Sequence, residues 1–321
     1  MSAARVFQFT VVAAFVALTA LTASASAVEK EGSFDRVLDV AGAIELEVVS
    51  GSGSITIRVG ASDEVRVHGE IRSRDDGKVR RLEENPPIER DGNVIRIGFI
   101  EDRDLRRGVS ISYELDVPTE TRLVSTTGSG TQSIGDIQGP LVAKTGSGSL
   151  EIGAIRSDVE ASSGSGGISI DRVEGSLSAH TGSGSIRARA VAGPITVNSG
   201  SGSIQIDQTG PGDAEVHTGS GDIRLTGIHS ALEVRTGSGD LDVVGAIAGE
   251  WTLHASSGDV TLTLPAEAAF DLDAETSSGD IDTDHPVEIR GRVHRTTLRG
   301  AVRGGGPLLA IHTSSGDIRI R

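Results

Sequence analysis

Residues 145–173 read T-G-S-G-S-L-E-I-G-A-I-R-S-D-V-E-A-S-S-G-S-G-G-I-S-I-D-R-V, and the pattern that opens at Gly146 opens again at Gly164. Marking the second glycine of each Gly-Ser-Gly gives Gly130, Gly148, Gly166, Gly184 and Gly202 at intervals of 18 residues, then Gly221 and Gly239, and Ser-Ser-Gly in its place gives Gly258, Gly279 and Gly316 at drifting intervals. A fixed period near 18 means stacked units, each contacting its neighbours, rather than one globular core. Within the coil opening at Gly146 the apolar residues are Leu150, Ile152, Ile155, Val159 and Ala161; in the next they are Ile168, Ile170, Val173, Leu177 and Ala179. These offsets describe two short alternating strands, with room for a third element at the isolated residue between them, and they fit no helical period.

The fold expected is therefore all-β: a single-stranded parallel β-solenoid, right-handed because parallel crossovers overwhelmingly are. At one inter-strand spacing per coil, about 4.8 Å, roughly ten coils give a rod about 50 Å long. Close stacking predicts a hollow-free rod with no cleft for chemistry. Corners lying directly over one another favour residues without a side chain that can take positive φ. Gly148, Gly166, Gly184, Gly202, Gly221 and Gly239 are the expected structural corners. A hydroxyl precedes each: Thr145, Ser163, Thr181, Ser199, Thr218 and Thr236 share parity with the inward apolar residues, which predicts a column bonded coil to coil. An array recognising an ordered lattice such as ice would need exposed threonine pairs, and one hydroxyl recurs per coil.

After the corner the residue changes from Ser149, Ser185 and Ser203 to Asp222, Asp240, Asp259, Asp280 and Asp317. Stacked carboxylates repel by about 1 kcal/mol or less where water screens them. Two answers stay open: turn capping by Asp, or a bound cation such as calcium on Asp222, Asp240, Asp259 and Asp280. The calcium signatures fit poorly, since His285 stands where an EF-hand loop needs glycine. His180, His217, His254 and His312 occupy an outward position in coils that are not consecutive in sequence, which argues against a shared metal. No other cofactor is expected.

Outside the regular coils, Arg5, an apolar run from Val6 to Leu21 and Ala25-Ser26-Ala27 read as a secretory leader over residues 1–27, too short in its apolar part to be a transmembrane span. Residues 28–120 read as an N-terminal β cap with the first irregular coils, in which Gly51-Ser52-Gly53 is an early corner, Ser73 to Asp91 a charged loop or hairpin and Glu101 to Arg107 a charged turn. Residues 121–321 are the regular repeats, and Arg319 and Arg321 are expected to guard an exposed last edge. The chain has no cysteine, so disulfides and a lipid-modified cysteine anchor are excluded, and its net charge of −15 argues against nucleic acid.

The T-x-S/N-G-D/S-I-x-I coils, the D-V-P at Asp116 to Pro118, the L-P at Leu264-Pro265 and the closing T-S-S-G-D-I-R-I resemble the bacterial putative-adhesin family of unknown function over roughly Phe34 to Ile320. That resemblance implies a secreted or envelope-associated β-solenoid without established catalytic residues. Function is accordingly expected to be non-catalytic: an extracytoplasmic scaffold, secreted, periplasmic or in the cell envelope, meeting an envelope or surface partner. The alternatives are a β-helix that binds or degrades polysaccharide and a calcium-stabilised surface protein. No nucleophile elbow, H-E-x-x-H or phosphate loop appears. The residues do not fix the oligomeric state.

Overall fold

The computed structural model describes residues 29–289 and 294–321; the leader lies outside the described residues. The strands form two sheets, of 14 and 15 strands, whose buried apolar residues make one continuous core. A typical rung is a strand Leu141–Thr145 in one sheet, a Gly-Ser-Gly corner, and a strand Leu150–Ile155 in the other. Alternation sets which side chains go in: Leu141, Ala143, Leu150 and Ile152 are buried, while Glu151 between them is exposed. Each strand pairs in parallel with its counterpart one rung on, so that Leu150, Ile168, Ile186, Ile204, Ile223, Leu241 and Val260 form one inward column. Leu141, Val159, Leu177, Ile195, Ala214, Leu232 and Trp251 form its counterpart. The third element allowed by the spacing does not form: Ile155 ends the strand that begins at Leu150 and pairs with Val173. Trp251 and Phe270 fill the core of the wider coils, and the Trp251 indole donates to the Ser230 carbonyl at 2.8 Å.

Spatial order departs from chain order at both ends. The strand Ile44–Ser50 stacks in register on Thr121–Thr127, and Ile55–Val59 on Gln132–Ile134, so Gly51-Ser52-Gly53 joins the corner column across 77 residues. The intervening chain extends both sheets beyond this rung. Val109–Val117 pairs in parallel with Ile55–Val59, Glu64–Ser73 and Lys30–Asp39 follow it antiparallel, and in the other sheet Val94–Ile97 and Ile88–Asp91 flank Ile44–Ser50.

The stretch Ser73 to Asp91, expected as loop or hairpin, contains the α-helix Asp76–Glu84 before its hairpin. Asp75 caps it by accepting from the Gly77 and Lys78 amides, and Val79 and Leu82, three residues apart, bury one face. The charged turn at Glu101 to Arg107 likewise closes into a short helix, Arg103–Arg106, capped by Asp102.

At the other end the last coil of the chain is not the last rung. Leu308–Ser315 lies between Trp251–Ser257 and Phe270–Ser278, and Ile318–Ile320 lies between Val260–Thr263 and Ile281–Thr283. Arg319 thus sits on an internal strand, and Ile281–Thr283 is the edge in its place. Thr297–Val302 and Val287–Ile289 add an antiparallel cap to the other sheet.

Candidate functional site

The corner column contains most of the recurring polar residues, and hydrogen bonds between rungs account for them. Each buried hydroxyl donates to the glycine carbonyl of the rung before: Thr145 to Gly130 at 3.2 Å, Ser163 to Gly148 at 2.9 Å, Thr181 to Gly166 at 3.0 Å, Ser199 to Gly184 at 3.1 Å, Thr218 to Gly202 at 3.0 Å and Thr236 to Gly221 at 3.3 Å. In the first rungs the same oxygen accepts from its own corner, as Thr145 does from the Gly148 amide at 3.0 Å. A Cβ on Gly148, Gly166, Gly184 or Gly202 would sit far inside van der Waals contact of the glycine carbonyl one rung away. Glycine is required here by clearance alone: none of these four takes the expected positive φ, because the amide stays turned toward its own hydroxyl.

From Gly221 onward the corner changes type. Gly221, Gly239, Gly258, Gly279 and Gly316 have φ between 143° and 157°. The amides of Gly221 and Gly239 turn away from the hydroxyl and donate to the next rung's Ser238 and Ser257 carbonyls at 2.7 and 2.9 Å. This switch coincides with the change from serine to aspartate after the corner. The Asp222 carboxylate accepts from the Asp240 amide at 3.0 Å, Asp240 from Asp259 at 2.9 Å, Asp259 from Asp317 at 2.9 Å, and Asp317 from Asp280 at 3.0 Å. The carboxylates lie in the order 222, 240, 259, 317, 280, and arginine offsets part of their repulsion. Arg319 bridges Asp259 and Asp317 at 2.8 and 2.7 Å, and Arg295 reaches Asp280 at 2.7 Å. The Asp317 amide, with Arg319 beside it, holds the Asp259 carboxyl below its ordinary pKa. Among the described residues no three Asp, Glu, His or Cys side chains converge as metal ligands.

The outward face of the longer sheet carries a second column. His180, Asn198, His217, Arg235, His254, His312 and Glu275 lie on successive rungs. His254 and His312, expected in separated coils, are adjacent because the last coil inserts beside Trp251–Ser257; their rings stack 5.1 Å apart at 19°. Partial burial, then the positive charge of His312 and Arg235, lowers the His254 pKa, against a smaller opposing effect of Glu233.

A family model, Toastrack DUF4097, matches residues 140–321, more than half of the chain. The chain belongs to the Toastrack DUF4097 family. No curated protein matches the sequence. Among solved structures, the Toastrack chain is similar to a "putative cell adhesion protein" from Clostridium sporogenes ATCC 15579, at 11% identity over 91% of this chain and 99% of that one with a TM-score of 0.21. It is also similar to a "putative lipid binding protein" from Parabacteroides distasonis ATCC 8503, at 11% over 90% and 96% with 0.37. A "putative adhesin" from Bacteroides fragilis NCTC 9343 matches at 11% over 90% and 97% with 0.30.

The Toastrack match covers the rungs from Leu141 onward and leaves out the N-terminal cap, where sequence reasoning missed a cleft. The rod is not free of hollows: a cavity of 1140 Å³ opens beside the Gly51-Ser52-Gly53 corner. It forms because the next strands out, Val94–Ile97 and Val109–Val117, are joined by residues 98–108 instead of by a tight corner. The length of that connection, against four residues between Thr145 and Leu150 in a regular corner, was the available signal. Among the described residues of this Toastrack chain, no helix is long and apolar enough to cross a membrane.

Proposed function

We propose that the protein is a non-catalytic extracytoplasmic scaffold whose outward side-chain ladders engage a partner at the cell envelope. The observation that supports this reading is the fate of the residues that would otherwise suggest chemistry. The buried hydroxyls and the post-corner aspartates, the two recurring polar sets, are engaged rung to rung with backbone groups. Outward columns such as Glu215 beside Glu233, and Arg235 on the rung after His217, remain to face solvent. Export rests on the leader-like residues 1–27.

The test is co-sedimentation of the purified chain with envelope fragments. The parent protein should pellet with them, and Glu215→Lys with Glu233→Lys should stay in the supernatant while still melting cooperatively, a little lower for loss of the exposed Arg235–Glu233 ion pair. If neither pellets, the scaffold reading fails. Reducing ends released from acidic or neutral glycans, and abolished by one Asp or Glu substitution, would favour the polysaccharide-degrading alternative.

A further inference from the structure

The cleft beside Gly51-Ser52-Gly53 is built differently from the rest of the surface. In a regular corner the first glycine donates to the preceding rung, as Gly146 does to Thr127, Gly164 to Thr145 and Gly182 to Ser163. Gly51 has no preceding corner beneath it, and its amide has no backbone acceptor among the described residues. Below them Tyr113 belongs to the core, 1% exposed, and its hydroxyl has no hydrogen-bond partner. It lies under Gly98, whose φ of 87° carries the chain out into the long connection; a Cβ there would be 3.2 Å from the phenol oxygen. An orphaned buried hydroxyl costs about 1–3 kcal/mol, so this end of the core holds an unmet donor. Burial holds the phenol well above its ordinary pKa, so the donor keeps its proton.

The remaining lining decides what kind of ligand could meet these donors. Arg72, Arg96 and Arg106 contribute guanidinium groups, and none of them makes a side-chain hydrogen bond among the described residues. Arg96 is 3.6 Å from Glu47, Arg72 lies between Glu31 at 3.4 Å and Glu70 at 3.9 Å, and Arg106 has no ion pair among the described residues. Glu29, Glu89 and Glu101 add carboxylates on the same walls. An anion would meet these carboxylates within a chain of net charge −15, and a cation would meet the arginines. An apolar chain would strip water from both sets. Half-buried Phe99 and Ile100 supply an apolar surface between them. Ile44–Ser50, Val94–Ile97 and Val109–Val117 are each paired on both sides, so a peptide could add only at the Ile88–Asp91 edge, which gives the cleft Glu89 alone.

We infer that this cleft is a binding site for a neutral oligosaccharide. A sugar hydroxyl both donates and accepts, so one ligand can serve the guanidinium, amide and phenol donors together with the carboxylate acceptors beside them. Its C–H face matches Phe99 and Ile100. The volume is that of a pocket for a short oligomer, at or slightly above the usual range of about 300–1,000 Å³ for small-molecule sites. The proposal is independent of the envelope ladders, which lie on the rungs beyond.

The experiment is binding of the full chain to an array of short neutral and acidic oligosaccharides, followed by calorimetric titration of the retained glycans. Neutral glycans should be retained, and Arg96→Gln and Arg106→Gln should each weaken them about tenfold, the loss expected for one charged hydrogen-bond donor. Both residues are exposed, so melting should not move; Tyr113→Phe, which removes one buried oxygen, checks the floor of the site without a change of shape. Retention of acidic glycans alone, no retention at all, or neutral binding untouched by all three substitutions would each overturn the assignment. The Glu215→Lys and Glu233→Lys chain should bind the sugar normally, which separates this result from failure of the envelope reading.

Discussion

A single carbonyl oxygen per rung sets the composition of the corner. Gly148→Ala would drive its Cβ into the Gly130 carbonyl, a backbone atom held by the stack on both sides, and should cost about 2–3 kcal/mol. Ser147→Ala, exposed in the same corner, should stay within about 0.5 kcal/mol. Urea unfolding of the pair measures the contrast, and equal midpoints would refute the clearance argument. Asp240→Ala removes the acceptor for the Asp259 amide and should cost about 1 kcal/mol or less, since the group is exposed, while Asp240→Asn keeps an acceptor and most of the stability. The same logic gives a pH sign. The Asp259 pKa is depressed in the folded chain, so its contribution is present above the unfolded carboxylate value and disappears as pH falls through the folded one. The spacing of Gly148, Thr145 and Asp240 could be read from sequence, because a period repeats whatever stacking demands. The change of corner type at Gly221 could not. It depends on which way one amide points, and Gly-Ser-Gly reads the same at Gly202 and Gly221.

Strand order is where sequence reasoning gave way. A parallel solenoid is expected to add rungs in chain order, and nothing in the residues 280–306 announces that the final coil will slip between two earlier ones. The insertion brings His254 against His312, with Arg235 and Glu233 on one side of the pair and Glu275, 3.6 Å from Arg299, on the other. Partial burial and the positive neighbours lower the folded His254 pKa, whereas in the unfolded chain the ring protonates near pH 6.5. The unfolded state therefore binds more protons as pH drops below neutrality, and stability should decline as pH falls from about 7 through the lowered folded value. His312→Gln removes one positive neighbour and should flatten that decline, as thermal melting across the range would show. Parallel pH profiles for parent and variant would mean that the stacked pair carries no linkage. The helix Asp76–Glu84 escaped for a related reason: two apolar residues, Val79 and Leu82, are too few for a periodic signal in so charged a stretch, although the Asp75 cap was readable.

For the molecule as a whole, stability is a sum over rungs and their neighbours, so the interior and the ends should respond differently to loss of chain. The aspartate column already meets backbone amides and Arg319, which makes an added cation dispensable. The melting midpoint should be the same with and without a calcium chelator, and a drop on chelation would restore the calcium-stabilised reading. Truncation is the sharper test. Removing the chain from Leu308 onward would ordinarily fray one end of a solenoid, yet here it deletes an internal rung whose Leu309, Ile311, Ile318 and Ile320 are fully buried. Phe270–Ser278 would lose its parallel partner Leu308–Ser315 while keeping Thr297–Val302, an antiparallel pair too small to stand alone. Hydrogen exchange should then show protection lost across Phe270–Val302 and retained from Leu141 to Leu232. If the cap instead closed directly onto Trp251–Ser257, protection in Phe270–Ser278 would survive, and the final coil would be a late addition to a rod that is complete without it.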